Sequence, residues 1–442
     1  MEYSHATSSP EAASRRKQRA DRRESTLPVT LAARIEGHLA TFAGHLREGL
    51  LAASSAVGLE VLDELMAAEV TALAGLKGKH QPDRAAYRHG TDAGTVTLGG
   101  RRLTVRRPRV RSVDGTAELS LASYEAASAT DLLADGIVAR MLAGLSTRRY
   151  GAGLEPVGAA IEERRSGTSH AAVSRRFVAA TAERLADFLA RPLGGQRFLV
   201  VMLDGFSMGE HLLLGALGIR SDGLKVPLGV VEGTVENEAV VLALLADLRD
   251  RGLDASAGLL VVVDGGTGIG AGLRRLFGTS VMVARCRRHK ERNVLARLPE
   301  IERPLVQRRL RAAWAEPDPV RAKALLEALA RSLAHQRPGA AASLREGLAD
   351  TLTLTRLGVT GSLRRTLEST NPMESMIEIV RDHATRVKRW ESGEMALRWA
   401  AAGMLAAESQ FRRVKGFREL PALAAALRRE LGLPEGEEAA IA

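Results

Sequence analysis

Two aspartates follow long apolar runs, and their placement suits metal chemistry. Asp204-Gly205 comes directly after the apolar run Phe198–Leu203, and Asp264-Gly265 comes after Leu259–Val263. Such a run is typical of a buried central strand that delivers its last residue to a sheet edge. If the two strands are neighbours, both carboxylates reach one edge, where they can bind Mg²⁺ for phosphodiester chemistry. Each Asp-Gly pair alone could also be an ordinary strand-ending turn.

The composition restricts the class of partner. The chain has 442 residues, too many for one compact core, and its 63 Lys and Arg against 52 Asp and Glu give a net charge of +11. This excess favours a polyanionic partner. The single cysteine, Cys286, excludes an internal disulfide and a self-contained Cys-rich zinc site. An aromatic content of 3% argues against base stacking as the main recognition device.

The distribution of apolar residues predicts no membrane partner. No segment approaches the roughly 20 apolar residues that cross a bilayer. The polar N-terminus also shows no hydrophobic signal region. We therefore expect a soluble cytoplasmic protein that associates with the nucleoid.

The N-terminal part is predicted to contain two basic segments. The first, RRKQRADRR at Arg15–Arg23, indicates a disordered arm that contacts DNA or is simply a solvated tail. A helical pattern follows from Val29 to about Gly75, and alternation around Gly99-Gly100 predicts a β-hairpin over Thr95–Arg111. Six arginines occupy its second half: Arg101, Arg102, Arg106, Arg107, Arg109 and Arg111. We predict a phosphate clamp, with an ordinary solubilising face as the alternative.

Three helical patterns follow between Ala129 and Leu189, and they resemble a helix-turn-helix. The second pattern begins after Ser146-Thr147, a good N-cap pair. The third begins at Thr168-Ser169 and carries Arg175 and Arg176 early in its length. We predict that these two arginines contact DNA, although any three-helix bundle gives a similar pattern.

The region from Gln196 onward predicts a mixed sheet with helices. Strands are expected at Phe198–Leu203, His211–Arg220 and Lys225–Glu232, then a helix, the strand Leu259–Asp264, a second helix and a short strand that ends at Arg285. Three antiparallel strands followed by alternating helices and strands is the ribonuclease-H-like order. Residues Pro299–Leu367 indicate an α-helical insertion, after which Ser369–Trp390 and Ser392–Leu431 are helical.

Four motifs in this order resemble the Mutator-like family of bacterial insertion-sequence transposases. They are LDGF at Leu203–Phe206, VVVDGGTGI at Val261–Ile269, RCRRHKERNV at Arg285–Val294 and STNPMES at Ser369–Ser375. The resemblance covers most of the chain. It implies a ribonuclease-H-like fold, an α-helical insertion before the last acid, and DDE-type strand transfer of DNA.

The resemblance also assigns the site. It places the family's three acids on Asp204, Asp264 and Glu374, with Asp204 bridging two Mg²⁺ ions and Mn²⁺ as an alternative metal. It places a Cys-x-x-His pair on Cys286 and His289, to which we assign an active-site role. The alternatives for this pair are half of a zinc site, or a buried structural cysteine with a surface histidine.

Helical geometry also supports the choice of Glu374 as the third acid. The helix that begins at Asn371-Pro372 carries Glu374, Glu378 and Asp382 near one face, beside an apolar stripe. Glu374 lies in the first turn, and Glu378 would lie about 6 Å further along the axis, too far to replace it. The competing interpretation makes Glu374 a capping-box residue.

These inferences give one overall prediction. The fold class is α/β: a ribonuclease-H-like catalytic domain with an α-helical insertion, preceded by a mainly helical DNA-binding region with a β-hairpin. The predicted segments are a disordered basic arm (1–28), N-terminal helices and the Arg-rich hairpin (29–128), a helix-turn-helix-like region (129–195), the catalytic domain (196–298 and 368–395), the insertion (299–367) and C-terminal helices (396–442).

The predicted function is a DNA transposase that binds terminal inverted repeats, nicks them and joins the 3′-OH to target DNA. Further DNA contacts are expected at Arg386, Lys388 and Arg389. A homodimer or larger assembly is expected in the synaptic complex. The alternatives are a nuclease or resolvase that cuts without joining, and a non-catalytic DNA-binding regulator.

Overall fold

The computed structural model describes residues 50–79, 84–98, 101–129, 132–155, 157–166, 168–234, 237–265 and 269–434. The predicted basic arm, the start of the first helical pattern, the Gly99-Gly100 turn and the last residues, 435–442, lie outside these residues. The described residues form two compact units: one contains those up to residue 136 and from 150 to 172, and the other contains those from 137 to 149 and from 173 onward.

The first unit packs one long helix on a small sheet. Helix α1 spans Leu50–Ala74. The long strands are β1 (Ala86–Leu98) and β2 (Arg101–Ser112), which pair antiparallel as the sequence predicts. Two short strands, β3 (Glu118–Leu119) and β4 (Arg165–Ser166), both pair with β2. In the first half of β2 burial alternates: Arg101, Leu103 and Val105 are buried, whereas Arg102, Thr104 and Arg106 are exposed.

The predicted helix-turn-helix is wrong. The chain here forms α2 (Ala122–Ala129), α3 (Leu132–Leu142), two 3₁₀ turns at 147–149 and 151–153, and the four-residue α4 (Ala159–Glu162). After β4, a long helix α5 spans His170–Ala190. The second predicted helix is absent from the described residues because Gly151, Gly153 and Pro156 interrupt its sequence. Arg175 is exposed on α5, and Arg176 is half-buried on the same helix.

The second unit is built on a five-stranded sheet. Its strands are β5 (Phe198–Met208), β6 (His211–Arg220), β7 (Lys225–Glu232), β8 (Leu259–Val263) and β9 (Val281–Arg285). The spatial order is β7-β6-β5-β8-β9, with antiparallel pairing among the first three and parallel pairing from β5 through β9. Helices α6 (Glu238–Asp250) and α7 (Ile269–Phe277) provide the crossovers. The predicted element order is confirmed.

The predicted end of strand β5 is wrong. Strand β5 does not end before Asp204 but continues to Met208, because the antiparallel hairpin with β6 pairs Asp204 with Gly215 and Met208 with His211. The ladder with β8 stops at Leu203. Asp204 therefore lies at the point where β5 loses its parallel neighbour but keeps its antiparallel one.

Residues 299–367 are mainly helical, as predicted. Helix α8 (Arg287–Leu295) leads into this stretch, which contains α9 (Arg303–Ala315), α10 (Pro319–Ala334), α11 (Pro338–Arg345), α12 (Thr353–Arg356) and α13 (Gly361–Leu367). These helices share a core around Leu310, Leu326 and Leu344. The chain then returns to the sheet through α14 (Asn371–Ala384), α15 (Gly393–Glu408) and α16 (Leu420–Leu431).

The arginines of β2 are only partly available to a partner. Arg101 was predicted to contact DNA, but its side chain is 1% exposed and its Nη2 lies 2.8 Å from Glu162 Oε1. The same guanidinium donates to the carbonyl of Glu155. Arg107 and Arg109 are paired with Glu118, and Arg111 is half-buried, which leaves Arg102 and Arg106 as the exposed basic residues of this strand. The assignment of Arg101 as a phosphate contact is therefore wrong, because the partners of its side chain lie in the protein.

We predict that Arg101 is a stability residue of the first unit. Arg101→Met removes charged hydrogen bonds from a buried position, which should cost about 2 kcal/mol. Amide hydrogen exchange in β1 and β2 should accelerate roughly 30-fold at that cost. The matched exposed change Arg102→Met should alter exchange less than twofold. Equal exchange in the two variants would contradict a structural role for Arg101.

Candidate active site

The pairing of two strands brings the two predicted aspartates together. In the parallel ladder Leu203 is opposite Val263, so Asp204 and Asp264 are the next residues on adjacent strands. Asp204 is 5% exposed, whereas Asp264 follows the end of β8 and its side chain is 30% exposed. The sheet therefore holds one buried and one accessible carboxylate side by side.

Helix α14 supplies the third carboxylate. The helix buries its apolar face, formed by Met373, Met376, Ile377 and Val380 as predicted, and Met373 packs closely against Gly215 of β6. This packing brings the first turn, and with it Glu374, to the strand edge. The capping-box alternative is wrong, since Thr370 is the N-cap residue and makes no side-chain cap bond, which places Glu374 beyond the third helical position.

His289 lies between two of the acids. Its Nδ1 is 2.9 Å from Asp264 Oδ1, and its Nε2 is 3.5 Å from Glu374 Oε1. The ring is buried on α8, one turn after Cys286. The interpretation of His289 as a surface residue is therefore wrong.

Cys286 connects the elements that carry these groups. It is fully buried, it precedes α8, and its backbone N–H donates to the carbonyl of Val263 at the end of β8. The hydroxyl of Thr370, just before α14, donates to its sulfur at 3.9 Å. The thiol thus lies where the elements bearing Asp264, His289 and Glu374 meet.

The acids open into one cavity. A space of about 450 Å³ is lined by Asp204, Asp264, Glu374 and His289, and by Arg292, Glu378 and Arg381. Among the described residues, Oδ1 of Asp264 and Nδ1 of His289 are buried and lack a hydrogen bond of good geometry despite their proximity. A buried carboxylate oxygen without a hydrogen bond, beside two further carboxylates, is a donor set suited to a hard divalent cation.

The acids are not yet arranged around a common point. In the described part of the chain, no three His, Cys, Asp or Glu side chains are close enough together to hold a metal ion. The residue types fit a divalent ion, and the ring occupies the space between two of the donors.

The charges of the site influence one another. Burial raises the pKa of Asp204 to about 6, an effect that Asp264 and Glu374 increase and that His289 and Thr370 oppose. Burial would lower the pKa of His289, but Asp264 and Cys286 raise it to about 10, so the ring is an imidazolium at neutral pH. Burial would raise the pKa of the Cys286 thiol, yet hydrogen bonds with His289 lower it. The imidazolium therefore balances part of the carboxylate charge.

Comparison with known proteins identifies the family. The model for the transposase family described as "Transposase, Mutator family" matches residues 46–413. The chain belongs to the Mutator family of transposases. The resemblance predicted from the four motifs is thereby confirmed.

Curated relatives carry transposase names. The chain is 27% identical over 298 residues to the transposase for insertion sequence element IS1081 of Mycobacterium tuberculosis, covering 62% of this chain and 65% of the relative. It is 30% identical over 275 residues to the transposase for insertion sequence element ISRM5 of Rhizobium meliloti, covering 61% of this chain and 66% of the relative. It is 27% identical over 169 residues to the transposase for insertion sequence element IS6120 of Mycolicibacterium smegmatis, covering 37% of this chain and 51% of the relative. The matches thus span about half to two thirds of these relatives.

Several residues of the cavity were not singled out from the sequence. Arg381 follows Glu374 and Glu378 at helical spacing, so its position on the same face could have been inferred. Arg292, which also lines the cavity, gave no comparable signal. The predicted contacts Arg386, Lys388 and Arg389 are exposed in the segment after α14. None of the described helices is long and apolar enough to span a membrane.

We predict that Asp204 lowers the stability of the metal-free protein. Its folded-state pKa of about 6 exceeds its ordinary value of 3.8, so the ionised carboxylate destabilises the folded state above pH 6. Asp204→Asn should therefore raise the free energy of unfolding at pH 8 in EDTA, by on the order of 2 kcal/mol. The gain should shrink as the pH falls from 6 and vanish below about 3.8.

Tryptophan fluorescence during denaturant unfolding provides the measurement, because Trp314, Trp390 and Trp399 all lie in the second unit. The control Asp187→Asn, at an exposed position on α5, should change stability by less than about 0.5 kcal/mol. A loss of stability in Asp204→Asn at pH 8 would contradict the electrostatic account.

Proposed function

We propose that this chain is a DDE-type DNA transposase with a ribonuclease-H-like catalytic domain. The observation that carries the proposal is the convergence of Asp204, Asp264 and Glu374 on one cavity. These residues come from β5, the end of β8 and the first turn of α14, three elements far apart in sequence. Family membership and the transposase names of the relatives support the same function.

The sheet supports the fold assignment. Three antiparallel strands followed by two parallel strands with helical crossovers match the order expected for a ribonuclease-H-like domain. Helix α14 packs against the central strand β5, and a helical stretch separates it from β9. Asp204 lies on a strand, Asp264 directly follows one, and Glu374 lies on a helix, so regular elements position the acids.

Asp204, Asp264 and Glu374 would hold two Mg²⁺ ions, with Mn²⁺ as an alternative. Bound there, the ions would supply a metal-activated hydroxyl nucleophile and neutralise the charge that develops on the phosphodiester. The three carboxylates that line the cavity, an oxygen-rich donor set, support this assignment. The alternative in which Cys286 and His289 form half of a zinc site has no support, because the other possible ligands that line the cavity are carboxylates rather than thiols.

The protein's own side chains position the acids and the substrate. The imidazolium of His289 contacts Asp264 and Glu374, so it orients both carboxylates and limits their mutual repulsion. Arg292 and Arg381 line the cavity and place positive charge beside the scissile phosphate. Nicking would leave a 3′-OH, which the same positioned groups would direct at a second phosphodiester.

DNA recognition is assigned to the basic surfaces. Arg102 and Arg106 are exposed four residues apart on β2, on the same strand face, which suits contact with a duplex backbone. The substrates proposed are the terminal inverted repeats and target DNA. Synapsis of two ends implies a homodimer or a larger assembly.

We predict that the position of the carboxylate on α14 decides activity. Glu374→Gln and Asp264→Asn should each lower nicking and joining by roughly 100-fold or more, because each removes a charge needed in the transition state. Both variants should retain DNA binding in a mobility-shift assay. The substrate is a duplex carrying the DNA that flanks this reading frame, with labelled ends and added target.

Glu378→Gln is the matched control. Glu378 has the same side chain, lies one turn later on α14 and lines the same cavity, so its replacement should leave activity within about fivefold. An inactive Glu378→Gln together with an active Glu374→Gln would refute the assignment of the third acid. Cleavage without any joined product in the wild-type protein would instead favour a nuclease.

A further inference from the structure

A second cavity, larger than the acid cavity, is lined mainly by arginines. It measures about 950 Å³ and lies among α8, α9 and α13. Its arginines are Arg287, Arg288, Arg292, Arg303, Arg311 and Arg364. The acidic side chains that line it are Glu291 and Glu368. We call this cavity the arginine groove; its six guanidinium groups outnumber its two carboxylates and give its lining an excess of positive charge.

Two of the arginines serve the fold. Arg287 is buried, donates to the carbonyl of Thr351, and lies 3.5 Å from a carboxylate oxygen of Glu368. Arg364 donates to the carbonyl of Trp314. These two side chains form the floor of the groove and are not available to a ligand.

The other four are more exposed, although Arg303 also donates to the carbonyl of Leu298 and lies 3.8 Å from Glu300. The side chains of Arg288, Arg303 and Arg311 are 62%, 42% and 64% exposed, and Arg292 is also exposed. Arg311 is paired with Glu291, which is also bonded to Gln307. An anion in the groove can thus contact guanidinium groups from both α8 and α9.

The arginine groove is joined to the acid cavity. Arg292 lines both spaces, and Arg288 Nη1 lies 3.6 Å from Glu374 Oε2. On α8, Arg288 and Arg292 are four residues apart and share a face, while His289 contacts the acids. A linear polyanion with one phosphate at the acids can therefore continue directly into the groove.

We propose that the arginine groove binds the sugar-phosphate backbone of the DNA strand whose phosphodiester lies at the acids. This inference rests on the proposed function. Trp314, the aromatic side chain of the groove, is 5% exposed and its indole N–H donates to Thr351, so it is not free to stack on a base. Contacts by guanidinium groups alone recognise phosphates without regard to sequence. The helices of residues 299–367 thereby contribute one wall of the substrate path.

Arginine footprinting on the full-length protein tests the proposal. Phenylglyoxal modification, read by mass spectrometry, is compared with and without a mixed-sequence duplex of DNA in EDTA. DNA should slow modification of Arg303 and Arg311 at least fivefold. Arg309 on α9 and Arg321 on α10, which do not line the groove, should react at unchanged rates.

A variant pair provides the second measurement. Arg303→Gln/Arg311→Gln should weaken duplex binding at least tenfold at 100 mM salt and reduce the salt slope by roughly 1 to 2, as expected for two lost phosphate contacts. Arg309→Gln/Arg321→Gln, with the same charge change, should stay within threefold. Footprinting uses the chain with its wild-type sequence, so it decides the question even if the groove variant does not fold.

The outcomes separate this inference from the proposed function. Equal protection of all four arginines, or none at Arg303 and Arg311, would overturn the groove assignment. So would protection by inorganic tripolyphosphate but not by DNA, which would indicate a small-anion pocket. These measurements need no catalysis. If DNA protects Arg303 and Arg311 but the protein never nicks DNA, the proposed function is contradicted and the groove assignment still stands.

Discussion

The parallel pairing of β5 with β8 is the constraint on which the site depends. Its register places two carboxylates on adjacent strands at one edge, and the rigidity of the buried ladder fixes their separation. Burial disfavours the ionised carboxylate of Asp204 and raises its pKa, and the like charges of Asp264 and Glu374 add to this effect. The free energy that the apolar strands gain on burial offsets this local cost. The rest of the unit brings the positive charge of His289 and the third acid, Glu374, to the same edge.

The charge-dense segment from Arg285 to Arg292 shows how this arrangement is built. Arg285 donates to the carbonyl of Asp264 and pairs with Glu346, and the buried Lys290 contacts the same glutamate. These cations attach the end of β9 and helix α8 to the helical stretch 299–367. Burial lowers the pKa of Lys290 to about 8, with Arg285 adding to the effect and Glu346 opposing it. Between these anchors, His289 faces the acids and Arg292 faces both cavities, so one short helix combines structural and functional charges.

Sequence patterns predicted what depends on local periodicity. The strands of the central sheet, the β1/β2 hairpin and the apolar stripe of α14 all follow from alternation or helical spacing. Long-range partners were not predictable. Arg101 looked like a surface residue because its partner Glu162 is 61 residues away, and the burial of His289 depends on carboxylates from two distant elements. The failed helix-turn-helix shows the same limit, since short helical patterns do not specify what the intervening residues form.

The central claim is that three acids from separate elements form one divalent-metal site. Anomalous diffraction from crystals grown with Mn²⁺ tests it most directly, since it locates the metal without requiring activity or knowledge of the DNA ends. The account predicts anomalous peaks bounded by Asp204, Asp264 and Glu374 in the wild-type protein, and their loss in Asp204→Asn. Manganese bound only elsewhere, or bound unchanged in Asp204→Asn, would contradict it.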